Sequence, residues 1–482
     1  MNKMKNKIGI LIILLGSLVS CEDFLDLNPE NLISDQTFFA NQNDFETALV
    51  GAYSSIRGMY SGSAIQYLNE LSSDNAEIVW SSPSSNEMQL EQNSVTSTNG
   101  ILSGAWNTCL YTISRCNTIL NKIEGVEFDQ SAKDRIKGEA YFLRGLSYFY
   151  LVQLFGNVPV TDINFTSPAQ VAASDLSLKP ASQVYIKILS DLTSAETLLA
   201  SGLNPDKTHA SRGTVKTLLG KVYLTQKDYD KAATKLKEVI DEKQYTLAAN
   251  YKDLFVEGNN NRAESIFEIQ FVSGKSIGNN YSALFTPAIT SMAIFPGNMQ
   301  GSGRILPTLD LVNAYEPGDL RKNLSVKEGI PLINGTTAPG RYGLKFIDYT
   351  IVDGQDGNVT FTVLRYADVL LMYAEALNEI DQTPLAHDYI NPIRDRANLD
   401  DLSGLDQDDF RLSLERERRV EFVYEGHRWF DLKRTGRLQV VLDSYYASKG
   451  LNFSVQDHEW ILPIPQNEID LNPEVIIQNP DY

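Results

Sequence analysis

The strongest constraint on this chain is the spacing of small and large residues in Thr217-Leu218-Leu219-Gly220-Lys221-Val222-Tyr223, followed by Ala232, Leu236 and Val239. Apolar residues three and four apart define one face of a helix. Gly220 places a residue without a side chain where two helices approach, and large residues fill the gap. Lys227-Asp228-Tyr229 makes the turn between them. Pairs of this kind bury their apolar faces only against neighbouring pairs, so they predict a curved stack and not two independent globules.

The pattern recurs. Gly145 and Tyr148 repeat the Gly-x-x-Tyr spacing in a helix expected from about Ala132 to Phe155, with a partner from Ala181 to Leu199. Ala374 takes the small position in Tyr366 to Ala376, and Ala386 lies twelve residues on, as Ala232 follows Gly220. A further pair is expected from Asp44 to Ile56 and Ala105 to Ile123. The motif resembles a tetratricopeptide repeat, although the repeat's tryptophan and terminal proline positions hold Lys216 and Gln244. The expected fold is therefore mainly α, with tetratricopeptide-like helix pairs at about 44–123, 132–199, 211–241 and 365–398, and a C-terminal helix and tail over 408–482. Between Tyr245 and Thr362 helical periods fade, Gly, Asn, Pro and Thr become frequent, and short alternating runs such as Ser265 to Phe271 appear, which predicts a loop-rich insertion. A second irregular stretch is expected from Ser72 to Ser103, around Trp80.

The N-terminus reads as an address. Lys3, Lys5 and Lys7 precede an apolar run from Ile8 to Leu15 that is too short to span a bilayer, and Leu18-Val19-Ser20-Cys21 closes it. Residues 1–20 are expected to be a signal peptide. The ending resembles a lipobox, which implies lipidation of Cys21 and a mature chain of 21–482 forming one domain. Removing the three lysines takes the net charge from -19 to -22, which disfavours nucleic acid and a basic membrane-binding patch. Cys109 and Cys116, seven apart in an expected helix, are about 10 Å apart and out of disulfide reach.

Leu414-Glu415-Arg416-Glu417-Arg418-Arg419-Val420-Glu421-Phe422, with Glu425-Gly426-His427-Arg428-Trp429-Phe430-Asp431-Leu432-Lys433-Arg434, resembles the C-terminal signature of the SusD/RagB family. Cys21 to Leu27 with Pro29, Arg365 to Asp368 leading to Tyr373-Ala374-Glu375, Ile393 to Ala397, and Ile464-Pro465 with Gln478 to Tyr482 agree in order and spacing. Asn472-Pro473-Glu474-Val475 departs from the family, which often has Gly-Tyr after Asn-Pro. The resemblance implies an outward-facing outer-membrane lipoprotein. It would capture nutrient oligomers, most often glycans, and hand them to a SusC-like TonB-dependent transporter. Glu22 and Asp23 after the cysteine also resemble a surface-export signal.

Other constellations read as structure. Helical spacing pairs Glu415 with Arg418 and Arg419, Glu421 with Arg418, and Glu425 with Arg428, as ion pairs locking the last helix to the stack. His427 lacks the further ligands that a metal needs, and His458-Glu459 is not followed by a second histidine. Gly274-Lys275-Ser276 lacks the first glycine of a phosphate loop, because Ile269 stands there. No metal, cofactor or catalytic group is expected. A glycan-cleaving enzyme and a repeat-based interaction scaffold are the alternatives. Sugars present an apolar face and a polar rim, which calls for a ring to stack on and amide, carboxylate or guanidinium groups beside it. The expected ligand-binding residues are Tyr67, Asn69, Asp74, Asn75 and Trp80 in one irregular segment, with Phe295, Asn298, Gln300 and Arg304 closing from the opposite side. Trp80 either stacks on a sugar or packs its own loop onto the helices. Trp106 and Trp429, on helical faces, are assigned to the core.

Overall fold

The computed structural model describes residues 38–482 apart from 80–81, 257, 290–291, 296–299 and 352. The signal peptide, Cys21, Trp80 and Asn298 lie outside the described residues. Helix α1 (Gln42–Ile56) starts at Asn41, whose side chain accepts the Asn43 N–H while Asp44 bonds back to the cap. It packs on α2 (Gly100–Lys122), and α2 on α3 (Gln130–Phe155). Helix α4 (Ala181–Leu198) returns along α3, α5 (Arg212–Thr225) pairs with α6 (Tyr229–Asp241), and α7 (Tyr366–Glu379) pairs with α8 (Thr383–Arg396). Contacts of α4 with α5 and of α6 with α7 join the pairs into a stack.

The small residues act as the spacing requires. A Cβ on Gly220 would stand 2.6 Å from Leu236 Cδ2, and one on Gly145 would stand 3.0 Å from Leu192 Cδ2. Lys227 takes a left-handed turn at φ 61°, after which Asp228 caps α6 through the Lys231 N–H. Cys109 and Cys116 are free and buried within α2, and Trp106 and Trp429 are buried at 0% and 1% exposure.

One expectation needs correction. The stretch Ser72 to Ser103 is less irregular than expected: it holds a helix over Ser85–Glu91, and α2 begins at Gly100 rather than near Ala105. Both starts are capped by short polar side chains, Ser84 with Glu87 and Asn99 with the Ile101 N–H. The run Ser265 to Phe271 holds a strand, but every residue of that strand is buried. Ser265–Ile269 pairs antiparallel with Phe361–Arg365 and is covered on both faces, so its alternation does not mark an exposed side.

Strand β1 (Ala76–Glu77) pairs antiparallel with β2 (Leu306–Pro307), whose partner side carries the hairpin strand β3 (Thr337–Tyr342). After α8 the chain forms α9 (Gln407–Glu421), α10 (Arg428–Arg434) and α11 (Leu438–Ser448). Buried apolar residues form one contiguous core from Phe45 to Ile476, and Met292, Phe295, Ile330, Tyr342, Ile347 and Ile351 form a smaller cluster under the insertion.

Candidate functional site

The charged run on α9 is structural, but its partners are not those that helical spacing suggests. Glu421 binds Arg321, Arg365 and Arg396, and Glu425 binds Arg365 and Lys345. Arg418 binds Asp368 and Asp431, Arg419 binds Asp74 and Asp310, and Glu415 faces Arg437 and Arg428. The physical reason is burial: a charge facing the interior needs close partners and several hydrogen bonds, which neighbouring elements supply and an exposed helix surface does not. His427 is likewise enclosed, stacked on Phe422 at 4.6 Å, and burial together with the nearby Lys221 ammonium holds its imidazole down to about 3, hence neutral.

The segment before β1 is part of the same lock. Tyr67–Leu71 forms a wide π turn that is buried throughout. Asp74 receives Arg428 through Nε and Nη2, both at 2.8 Å, and Arg419 at 3.0 Å. Asn75 accepts from Arg419 Nε at 2.9 Å and donates to Glu70 at 2.8 Å, while Asn69 donates to the Ile65 carbonyl and accepts the Phe430 N–H. Burial alone would raise the Asp74 carboxyl, yet the two guanidiniums hold it down at about 2.

Beyond Asn75 the chain turns outward. Past β1 the chain runs on to Val79, whose N–H donates to the Gly303 carbonyl at 2.9 Å, and Val79 itself is exposed. The two segments expected to face each other across a ligand are thus joined edge to edge. Gly303 permits the join: its φ is 65°, and a Cβ there would stand 2.8 Å from the Val79 carbonyl oxygen. The ridge carries charge on both flanks. Arg304 pairs with Glu87, which also accepts the Tyr67 hydroxyl at 3.1 Å. Glu77 pairs with Arg341 at 2.5 Å and Lys449 at 2.6 Å. The Ile78 N–H donates to Glu91 at 2.8 Å.

Of the expected binding residues, Asn69, Asp74 and Asn75 are therefore enclosed, with their polar atoms engaged by the C-terminal elements and by Ile65 and Glu70 nearby in the chain. Tyr67 lies just beneath the ridge, and Phe295 is 6% exposed in the smaller core. Gln300 and Arg304 reach the surface, Arg304 with its side chain 35% exposed. Sequence reasoning does not find Glu77, Glu91, Arg341 or Lys449. The last two come from distant parts of the chain, and no local spacing links them to β1.

Comparison with known proteins agrees with this architecture. A profile described as the SusD family matches residues 323–482, and one described as starch-binding associating with outer membrane matches residues 23–224. The SusD-like protein P2 of Formosa agariphila is 26% identical, covering 99% of this chain and 100% of its own. The SusD-like protein P25 of the same organism is 27% identical, covering 98% of each. Among solved structures, a laminarin binding SusD-like protein superposes with a TM-score of 0.79 at 26% identity, covering 92% of this chain and 100% of that one. A SusD superfamily protein from Parabacteroides distasonis gives a TM-score of 0.79 at 27% identity, covering 91% and 99%.

Proposed function

Because the chain belongs to the SusD/RagB family, we propose that it binds a nutrient oligomer, specifically a glycan, and delivers it to a SusC-like TonB-dependent transporter from the outer-membrane surface, held there by lipid on Cys21. One observation supports the binding site: the segments 76–79 and 300–307 join edge to edge over a largely buried seam, and the join brings exposed Val79 and Gln300 and half-buried Glu77 and Arg304 to one stretch of surface. Arg304, Gln300, Arg341 and Lys449 gather on or beside it, and Trp80 directly follows its exposed end in the sequence. Guanidinium, ammonium and amide donors around a loop of this kind suit the hydroxyl rim of a sugar. The laminarin-binding relative and the starch-binding profile support the glycan class. The relatives whose names state a role are named for binding, which supports binding over cleavage.

Screening the purified protein against a glycan array, then comparing wild type with Trp80→Ala, tests the reading. Lost affinity at an unchanged melting temperature supports a stacking ring on the ridge. Lost stability with affinity retained would give Trp80 to packing, and an array without a bound glycan would overturn the glycan reading.

A further inference from the structure

Next to the ridge lies a hollow of about 380 Å³, lined by Glu91, Tyr445, Tyr446, Lys449, Asn452 and Phe453 among others. Three rings meet there at steep angles: Tyr445 and Tyr446 at 5.5 Å and 49°, Tyr446 and Phe453 at 4.9 Å and 76°. Tyr445 is 5% exposed, and its side chain lies against Lys449, whose ammonium stands 5.1 Å from the ring centroid.

The other polar groups are partly engaged. Tyr446 donates its hydroxyl to the Glu91 carbonyl at 3.0 Å, and the Lys449 ammonium is bound to Glu77. One Glu91 carboxylate oxygen accepts the Ile78 N–H, and burial raises that carboxyl above its ordinary range. An incoming hydroxyl would supply the solvation it lacks. Asn452 stands exposed at the rim.

We propose that this hollow is a subsite for one neutral pyranose unit of the glycan, an inference that rests on the glycan reading above. The partly exposed Phe453 ring, backed by Tyr446, matches a sugar's C–H face, while the Glu91 carboxylate and the Asn452 amide match hydroxyls that both donate and accept. Lys449 is neutralised by Glu77 and burial biases Glu91 toward its neutral form, so little net charge is left to hold an ionic unit. The volume accommodates a hexose with part of a second. The rim is bonded directly to the ridge through Lys449 with Glu77 and Glu91 with Ile78, so both contacts can belong to one oligomer.

The test is calorimetric titration of wild type, Asn452→Ala and Phe453→Ala with oligomers of two to eight units of β-1,3-glucan, α-1,4-glucan, β-1,4-xylan and β-1,4-mannan, beside melting temperatures. Asn452 is exposed, so its variant is expected to stay folded even where the Phe453 variant does not. Both variants should lose about five-fold or more in affinity for the longest bound oligomers and little for the shortest. Affinity unchanged, or reduced equally at every length, overturns the subsite and leaves the glycan reading standing. If wild type binds no oligomer in the series, both fall.

Discussion

Asp74 shows at the scale of one residue how the interior is held. Its carboxylate is almost fully enclosed between Arg428 and Arg419, and their charges keep it ionised down to about pH 2 despite burial. The ordinary aspartate value is near 3.8. The folded form therefore holds its proton less tightly than the unfolded chain. The resulting stability is present in full above about pH 4 and is lost as pH falls toward 2. The shift corresponds to about 2 kcal/mol. Asp74→Asn leaves two buried guanidiniums underpaired and should cost about 3 to 5 kcal/mol at pH 7. Denaturant titrations of both proteins between pH 7 and pH 2 check this, and a gap that stays constant down to pH 2 would be the contrary result. In the sequence Asp74 is a polar residue in a Ser-rich stretch, a setting that points to a binding surface. Its partners, more than 340 positions away, are what bury it, and no local pattern carries that information.

At the scale of elements, the helix pairs are legible because close packing leaves a signature that sequence preserves: a residue too small to be accidental facing residues large enough to fill the space. Gly220 against Leu236 is the sharpest case. Gly220→Ala places a carbon 2.6 Å from a leucine branch in a buried contact, so it should destabilise by about 1 to 3 kcal/mol despite alanine's better helix propensity. Gly104 in α2 is the control: exposed, with nothing within 4 Å of where an added Cβ would stand, it should gain about 0.5 to 1 kcal/mol as alanine. Urea midpoints of the two variants moving in the same direction would contradict the packing argument. The helix Ser85–Glu91 is hard to see in the sequence although Ser84 and Glu87 form a capping box, because its seven residues are too few to display a period. The C-terminal charges are legible as structural, whereas their partners are not. Helical spacing identifies neighbours on one surface, and these side chains point away from it toward Arg321, Arg365 and Lys345.

For the whole molecule, two properties follow from how the ends are treated. Among the described residues no helix is long and apolar enough to cross a membrane, and the mature chain is strongly acidic. If Cys21 is lipidated as proposed, membrane retention should depend on its acyl chains, each buried methylene contributing roughly 0.8 kcal/mol. Cys21→Ser, expressed without the partner transporter, should appear in the soluble fraction, and persistence in the membrane fraction would refute the anchor. The second property concerns cooperativity. The loop-rich insertion is legible as irregular, but its attachment is not: Arg365 at the end of its last strand binds Glu264, Glu421 and Glu425, and Arg321 and Lys345 reach the same carboxylates. Arg396 of α8 binds Glu264 and Glu421, closing a buried network across the insertion, the helix stack and α9. The contiguous core crosses the same boundaries. Separating the insertion from the stack would strand several buried charges at once, each costing several kcal/mol. Residues 21–482 are therefore expected to unfold as one domain, with a single calorimetric transition whose van't Hoff and calorimetric enthalpies agree. Two resolved transitions, or a trypsin-resistant helical fragment that retains its full melting temperature without residues 245–362, would show instead that the insertion folds on its own.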